Sequence, residues 1–277
     1  MDKLKKKEKS AMYMQRFESI FQCPVCTSPM KIIELKSVVC DQHHTFDIAK
    51  QGYVNFLTRP VHSEYDKALF EARKTVIDSG LYERLHSMIR EIIDEEKAPK
   101  VLDTGCGEGS HLSHILRDVS GAVGVGIDIA KEGILSAAKY YDDFIWCVGD
   151  LANSPFSKES FDIILNILSP ANYAEFTRLV KQDGLLIKVV PKSGYLKEIR
   201  DIFYTEAYSN EQTVERFKEN FRNMETYQLS YKVPLHENLI QPLLQMTPLT
   251  WNKIDGANEV HITEITIDLE ILVGRKK

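Results

Sequence analysis

The stretch Val101-Leu102-Asp103-Thr104-Gly105-Cys106-Gly107-Glu108-Gly109 decides how the chain is to be read. It sets a short apolar strand, an acidic residue and three glycines directly before a helix-forming segment that starts at Ser110. Glycine lets a backbone take positive φ and come close to a ligand. A doubly wound sheet binds its ligand beyond the carboxyl ends of its strands. The spacing is not Gly-x-Gly-x-x-Gly, and Asp103 sits inside the turn, ahead of the first glycine. A carboxylate there repels a pyrophosphate, which disfavours a dinucleotide. It suits a positively charged amine, held directly or through water.

Outward from this turn the pattern alternates between strand and helix. Strands are predicted over residues 101–103, 123–128, 144–148, 161–167 and 185–190, and helices over 110–118, 131–140 and 173–181. Apolar strands separated by helices of this length predict a parallel sheet covered on both faces. Residues 262–273 alternate apolar and polar side chains, which predicts a long antiparallel edge strand. Residues 64–97 read as helical, with Leu81, Leu85, Met88 and Ile92 on one face and Ile89 and Ile93 beside them. Gly80 is expected to break this segment in two. Asp128 closes the second strand, where a carboxylate can accept both hydroxyls of a ribose. Asp150 follows the third strand and Gly149, where such folds contact an adenine amino group. Three acidic or glycine signals at successive strand ends outweigh the plainer reading of tight turns with solvated aspartates.

Composition sets the outer limits. The 277 residues, 43% apolar and 27% charged, suit one large soluble domain with a small appendage. The longest apolar runs are strand-sized, so no bilayer span is expected. The basic start (Lys3, Lys5, Lys6, Lys7, Lys9) lacks the apolar segment of a signal peptide, and the cytoplasm is the expected compartment. A net charge of −5 argues mildly against nucleic acid as partner, and the lysine run reads first as a solvated tail.

Five cysteines are an odd number and do not suggest a disulfide framework. Cys23-Pro-Val-Cys26, Cys40 and then His43-His44 offer three thiolates and an imidazole, enough to close a tetrahedral zinc shell with no open position for catalysis. Zinc would then hold together a segment too small to bury its own core. A redox Cys-x-x-Cys needs a helix start near a βαβ unit, which this segment lacks. Spacing leaves His43 and His44 both open as fourth ligand. Cys106 and Cys147 read as packed thiols.

Asp-x-Gly-x-Gly-x-Gly after the first strand resembles motif I of class I methyltransferases, whose ligand, S-adenosylmethionine, carries an amino group and a sulfonium. The whole order looks like one family: the zinc cluster, FDIAKQGY over residues 46–53, Ser79-Gly80-Leu81-Tyr82, LDTGCGEG, then LQMTPLTW over 244–251. It resembles the 23S ribosomal RNA guanine-N1 methyltransferases. The resemblance implies an α/β fold: a class I (Rossmann-like) methyltransferase sheet with a small N-terminal zinc-binding domain. It implies a zinc module over residues 1–60, with a helical linker and methyltransferase domain over 61–277. It implies zinc ligation by Cys23, Cys26, Cys40 and His44. Cofactor contacts are implied from Tyr82, Gly107 and Glu108, and from Tyr195 where the family often has histidine, beside Asp103, Gly105, Asp128 and Asp150. The implied reaction moves a methyl group to N1 of a guanine in a hairpin loop of 23S ribosomal RNA, and a homodimer is suggested. Asn166, Ser169 and Pro170, after the fourth strand, are candidates for holding the guanine edge, and no catalytic base is named. Two other readings remain: a methyltransferase acting on a small molecule such as a quinone precursor, and an inactive zinc-dependent RNA-binding protein. The first fits the acidic charge but leaves the zinc cluster idle. Intact Asp103, Gly105, Gly107 and Asp128 argue against the second.

Overall fold

The computed structural model describes residues 4–61, 63–94, 96–203, 209–247 and 262–277. In chain order these form α1 (Lys6–Arg16), β1 (Met30–Ile33), β2 (Ser37–Cys40), β3 (Thr45–Asp47), β4 (Val54–Asn55), α2 (Lys67–Asp78), α3 (Glu83–Ile93), β5 (Lys100–Thr104), α4 (Ser110–Leu116) and β6 (Val123–Asp128). There follow α5 (Lys131–Tyr140), β7 (Ile145–Val148), β8 (Phe161–Ile167), α6 (Tyr173–Leu179), β9 (Val180–Pro191), α7 (Lys197–Phe203), α8 (Glu211–Asn220), β10 (Phe221–Pro234), α9 (Glu237–Met246) and β11 (Glu264–Lys276).

The main sheet runs β10-β11-β9-β8-β5-β6-β7-β4. Successive residues of its strands point to opposite faces. Val101, Ile163, Leu165 and Ile187 therefore pack on one side with Leu85, Ile89 and Ile93 of α3. Leu102, Val125, Ile164 and Leu186 pack on the other with Phe156 and Phe176. Chain order reverses between β5 and β8, which makes the switch-point crevice in which such sheets bind ligands. β5 is held in register with both of its neighbours, Asp103 opposite Leu165 of β8 and Gly126 of β6.

Three details depart from the sequence reading. Residues 262–273 do not form an edge strand: β11 pairs antiparallel with β9 on one side and with β10 on the other. Alternation reports which face is buried, whereas edge or centre is decided by hydrogen bonding to a neighbour, here the polar β10. The helix expected over 173–181 stops at Leu179, because Val180 pairs with Phe161 and opens β9 early. In α3 and the turn before it, the buried stripe is Leu81, Leu85, Ile89 and Ile93, while Met88 and Ile92 are only half-buried. Gly80, at φ +87°, separates α2 from α3 as expected. Of the LQMTPLTW stretch, residues 248–251 lie outside the described residues.

The N-terminal segment forms its own antiparallel sheet, β1-β2-β3. It is also knitted to the main sheet. Val54 and Asn55 of β4 pair with Cys147 and Val148 of β7, and Gln22 N donates to Pro155 O at 2.9 Å. Phe21 stacks near Phe56 and Phe156, with ring centroids 5.8 and 6.2 Å away. Residues from both regions thus share one apolar core.

Candidate functional site

The glycine turn is built around its glycines. Gly105 and Gly107 have φ of +73° and +56°. A Cβ on Gly105 would stand 2.1 Å from Ser169 Oγ, so this residue lets the loop after β8 close over the turn. Gly105 N and Cys106 N both donate to Ile127 O, which ties the turn to the end of β6. Asp128 completes the tie. Its Oδ2 accepts from Gly107 N and its Oδ1 from Ala130 N, both at 2.8 Å. Asp128 thus shapes the turn as well as facing the cleft, a role that strand-end logic did not reveal.

Two cavities meet here. One, of about 300 Å³, is lined by Gly105, Asp128, Gly149 and Asp150, among others. The other, of about 330 Å³, is lined by Tyr82, His111, Lys188 and Tyr195, among others. Arg73, Leu168 and Ser169 border both. Asp150 is exposed and caps the turn after β7 by accepting from Ala152 N at 2.8 Å. Tyr82 and Tyr195, far apart in sequence, meet hydroxyl to hydroxyl at 2.7 Å.

The carboxylates are crowded and dry. Asp103 is 2% exposed and Glu108 is fully buried. Asp103 Oδ1 has no hydrogen-bond partner among the described residues. Burial pushes the Asp103 carboxyl up to about 7, with Asp128 and Glu108 adding to the rise and Arg73 opposing it. Burial likewise raises Glu108 and Asp128. Arg73 Nε lies 3.2 Å from Glu108 Oε2. Three carboxylates facing one guanidinium leave negative charge that a cationic ligand would offset.

In the N-terminal segment Cys23, Cys26, Cys40 and His44 bring their ligand atoms within 4.8 Å of one another. Cys26 Sγ lies 3.6 Å from Cys40 Sγ, and His44 Nδ1 lies 3.4 Å from Cys40 Sγ. A tetrahedral ion with sulfur ligands at about 2.3 Å needs edges of about 3.8 Å, so the four atoms fit zinc without rearrangement. His43, at φ +61°, is exposed and outside the cluster. The left-handed turn at His43 carries the chain round so that His44 points inward. Glu83, His86 and His114 form a second such group. The rings of His86 and His114 stack with planes 6° apart, however, so one ion cannot lie in the plane of both.

Against known proteins, the zinc-ribbon model described as "RlmA, N-terminal" matches residues 21–65, and the model described as "Methyltransferase domain" matches residues 101–184. YxjB of Bacillus subtilis (strain 168), assigned by name to the 23S rRNA (guanine-N(1)-)-methyltransferases, is 45% identical over 275 residues, 93% of this chain and 98% of its own length. The chain belongs to the 23S rRNA guanine-N1 methyltransferase family. The 23S rRNA (guanine(748)-N(1))-methyltransferase of Streptomyces fradiae is 27% identical over 241 residues, 84% of this chain and 86% of its own length. Phthiotriol/phenolphthiotriol dimycocerosates methyltransferase 1 of Mycobacterium ulcerans (strain Agy99) is 30% identical, but over only 106 residues, 37% of each chain. This family member is an S-adenosylmethionine-dependent methyltransferase with a Cys3His zinc ribbon. The donor set fits both groups: a buried, unpartnered carboxylate oxygen and surplus negative charge for the cationic cofactor, and four ligand atoms at zinc spacing. When bound, the cofactor supplies an electrophilic methyl group on sulfur.

Sequence reasoning missed Arg73 and Lys188. Arg73 lies on α2, in a stretch read as a linker, and only the packing of α2 over the turn brings it to Glu108. Lys188 sits in an apolar strand with no motif around it. Asn166, expected to hold a guanine edge, does something else. It is fully buried, and its Nδ2 faces Thr104 O, Thr104 Oγ1 and Pro170 O at 3.1–3.2 Å while Oδ1 accepts from Lys188. Its amide is spent on holding the β8 loop against β5, because a polar group at a central strand end must be satisfied internally.

Proposed function

We propose that the protein transfers a methyl group from S-adenosylmethionine to N1 of a guanine in a hairpin loop of 23S ribosomal RNA. The observation that carries this reading is the end-to-end match, spanning zinc ribbon and methyltransferase sheet together, to relatives named for that reaction. A small-molecule enzyme would have no use for the zinc ribbon. Guanine N1 is a pairing position, so an unpaired loop base is reached at least cost.

In this reading Asp128 receives the ribose hydroxyls, Asp150 the adenine amino group, and the Gly105–Gly107 backbone lets the cofactor approach. Asp103 and Glu108 balance its positive charge, Arg73 offers a cation to its carboxylate, and Tyr82 and Tyr195 wall the methionine end. Cys23, Cys26, Cys40 and His44 hold zinc. In this reading the zinc module spans residues 1–60 and the methyltransferase domain 61–277, with β4 of the module adding a strand to the main sheet. The cytoplasm follows from the substrate, and a homodimer, suggested by the family resemblance, is open to sedimentation analysis.

Incubation with tritiated cofactor and separate RNA, protein and small-molecule fractions tests the reading. Label should enter RNA, and nucleoside mass spectrometry should find 1-methylguanosine. Label confined to a small-molecule fraction would reject it.

A further inference from the structure

Lys188 is 3% exposed, lies on β9 and lines the cavity beside Leu168 and Ser169. Its Nζ donates to Asn166 Oδ1 and, at 3.0 Å, to Ser169 O. Both acceptors are neutral, and among the described residues no carboxylate ion-pairs with Lys188. A tetrahedral amine bonded to Cε and giving two hydrogens to fixed acceptors has one position left. In the neutral amine that position is the lone pair.

We propose that Lys188 is the general base of the reaction, taking the N1 proton of the guanine; this rests on the function proposed above. The N1–methyl bond forms as the sulfur–methyl bond breaks, and the sulfur keeps that electron pair as a neutral thioether. The electrons of the N1–H bond stay on the ring, the proton moves to Nζ, and water takes it from there when the product leaves. Asn166 is the positioning residue: it pins Nζ and the Ser169 loop at once, which explains why a buried strand end spends an amide there.

The surroundings suit this task. Burial lowers the Lys188 ammonium to about 8, close to a working pH, which is where a base is most effective. Among the described residues, the other titratable groups lining the cavity are Arg73, Tyr82, His111 and Tyr195. From β8, the residue paired with Lys188 is the neutral Asn166. From β11 it is Leu272, and Glu270 further along that strand is engaged by Asn210 Nδ2 at 3.1 Å. His111 is lowered well below the usual histidine range by burial, and its Nδ1 is taken by His86 Nε2 at 2.8 Å. A limb near pH 8 therefore distinguishes Lys188 from His111.

The experiment is single-turnover methylation of an in vitro 23S ribosomal RNA transcript between pH 6 and 10, reading 1-methylguanosine, with wild type, Lys188→Met and Lys188→Arg. Calorimetry with S-adenosylhomocysteine on each protein checks folding and the cofactor site independently of activity. The wild-type rate should rise about tenfold per unit below an inflection near 8 and then level. Both variants should lose about 10²–10⁴-fold in rate while cofactor affinity holds within about twofold. Arginine keeps the charge but cannot give up its proton, so it should not rescue. Wild-type-like turnover by Lys188→Arg, an unchanged limb in Lys188→Met, or a flat wild-type profile would each overturn the base assignment while leaving the guanine reading intact. Absence of 1-methylguanosine from the wild type would overturn both.

Discussion

Lowering the pH from 8 to 6 should weaken cofactor binding by about tenfold, and the physical reason is Asp103. In the free protein its carboxyl is pushed up to about 7, by burial first and then by Asp128 and Glu108. At pH 6 about nine molecules in ten therefore carry Asp103 neutral, and at pH 8 about one in ten. A cationic ligand favours the ionised form, so apparent affinity follows the ionised fraction. The ratio between the two pH values is about tenfold, or about 1.4 kcal/mol. Burial also raises Asp128 and Glu108 from the usual carboxylate range. His86, lowered to about 3, and His111, also lowered, do not titrate in this window. Calorimetry with S-adenosylmethionine, which keeps the sulfonium charge, in two buffers of different ionisation heat reads both affinity and proton release. Binding should expel close to one proton at pH 6 and almost none at pH 8. Asp103→Asn should bind more weakly and lose the slope. A dissociation constant that stays level from pH 6 to 8 without proton release, or an unchanged slope in Asp103→Asn, would refute the argument. The same shift has a stability consequence. Between about pH 4 and 7 the folded chain holds a proton on Asp103 that the unfolded chain has lost, so this residue's contribution falls as pH rises through that window. The melting temperature of wild type minus that of Asp103→Asn should therefore fall as pH rises from 5 to 7, read by thermal unfolding without ligand.

Asp128→Ala removes the acceptors of Gly107 N and Ala130 N and should cost about 1–3 kcal/mol for each amide left unpaired, besides weakening cofactor binding. Unchanged S-adenosylhomocysteine affinity by calorimetry would take Asp128 out of the site. Metal analysis should find about one zinc per chain; His44→Ala should lose it and His43→Ala keep it, and the opposite result would reverse the ligand assignment. Gly105→Ala puts a Cβ against Ser169 Oγ at a backbone angle of +73° and should abolish cofactor binding in a protein whose circular dichroism still shows the sheet; binding within about threefold of wild type would mean the turn relaxes at little cost.

The sequence by itself determined the parallel sheet, the glycine turn and the three zinc-spaced cysteines, because each is written in local chemistry. Strand periodicity, glycine at forced φ and the Cys-x-x-Cys pair act over a few residues of chain. It could not separate His43 from His44 by spacing, and the left-handed backbone at His43 is what turns His44 inward. Tertiary structure alone decided the rest. Arg73 reaches Glu108 only because α2 folds over the turn, and Tyr82 meets Tyr195 only because α3 and the loop after β9 converge on one cavity. The polar β10 turned an expected edge strand into an interior one. Phe21 and Phe56 joined the zinc segment to Phe156 of the main domain. In each case the residue's own pattern says that it is buried or polar, but its neighbour is dozens of residues away. Burial is a property of a face, which a sequence period can report. Partnership depends on which faces the chain brings together, and that is settled when the layers pack.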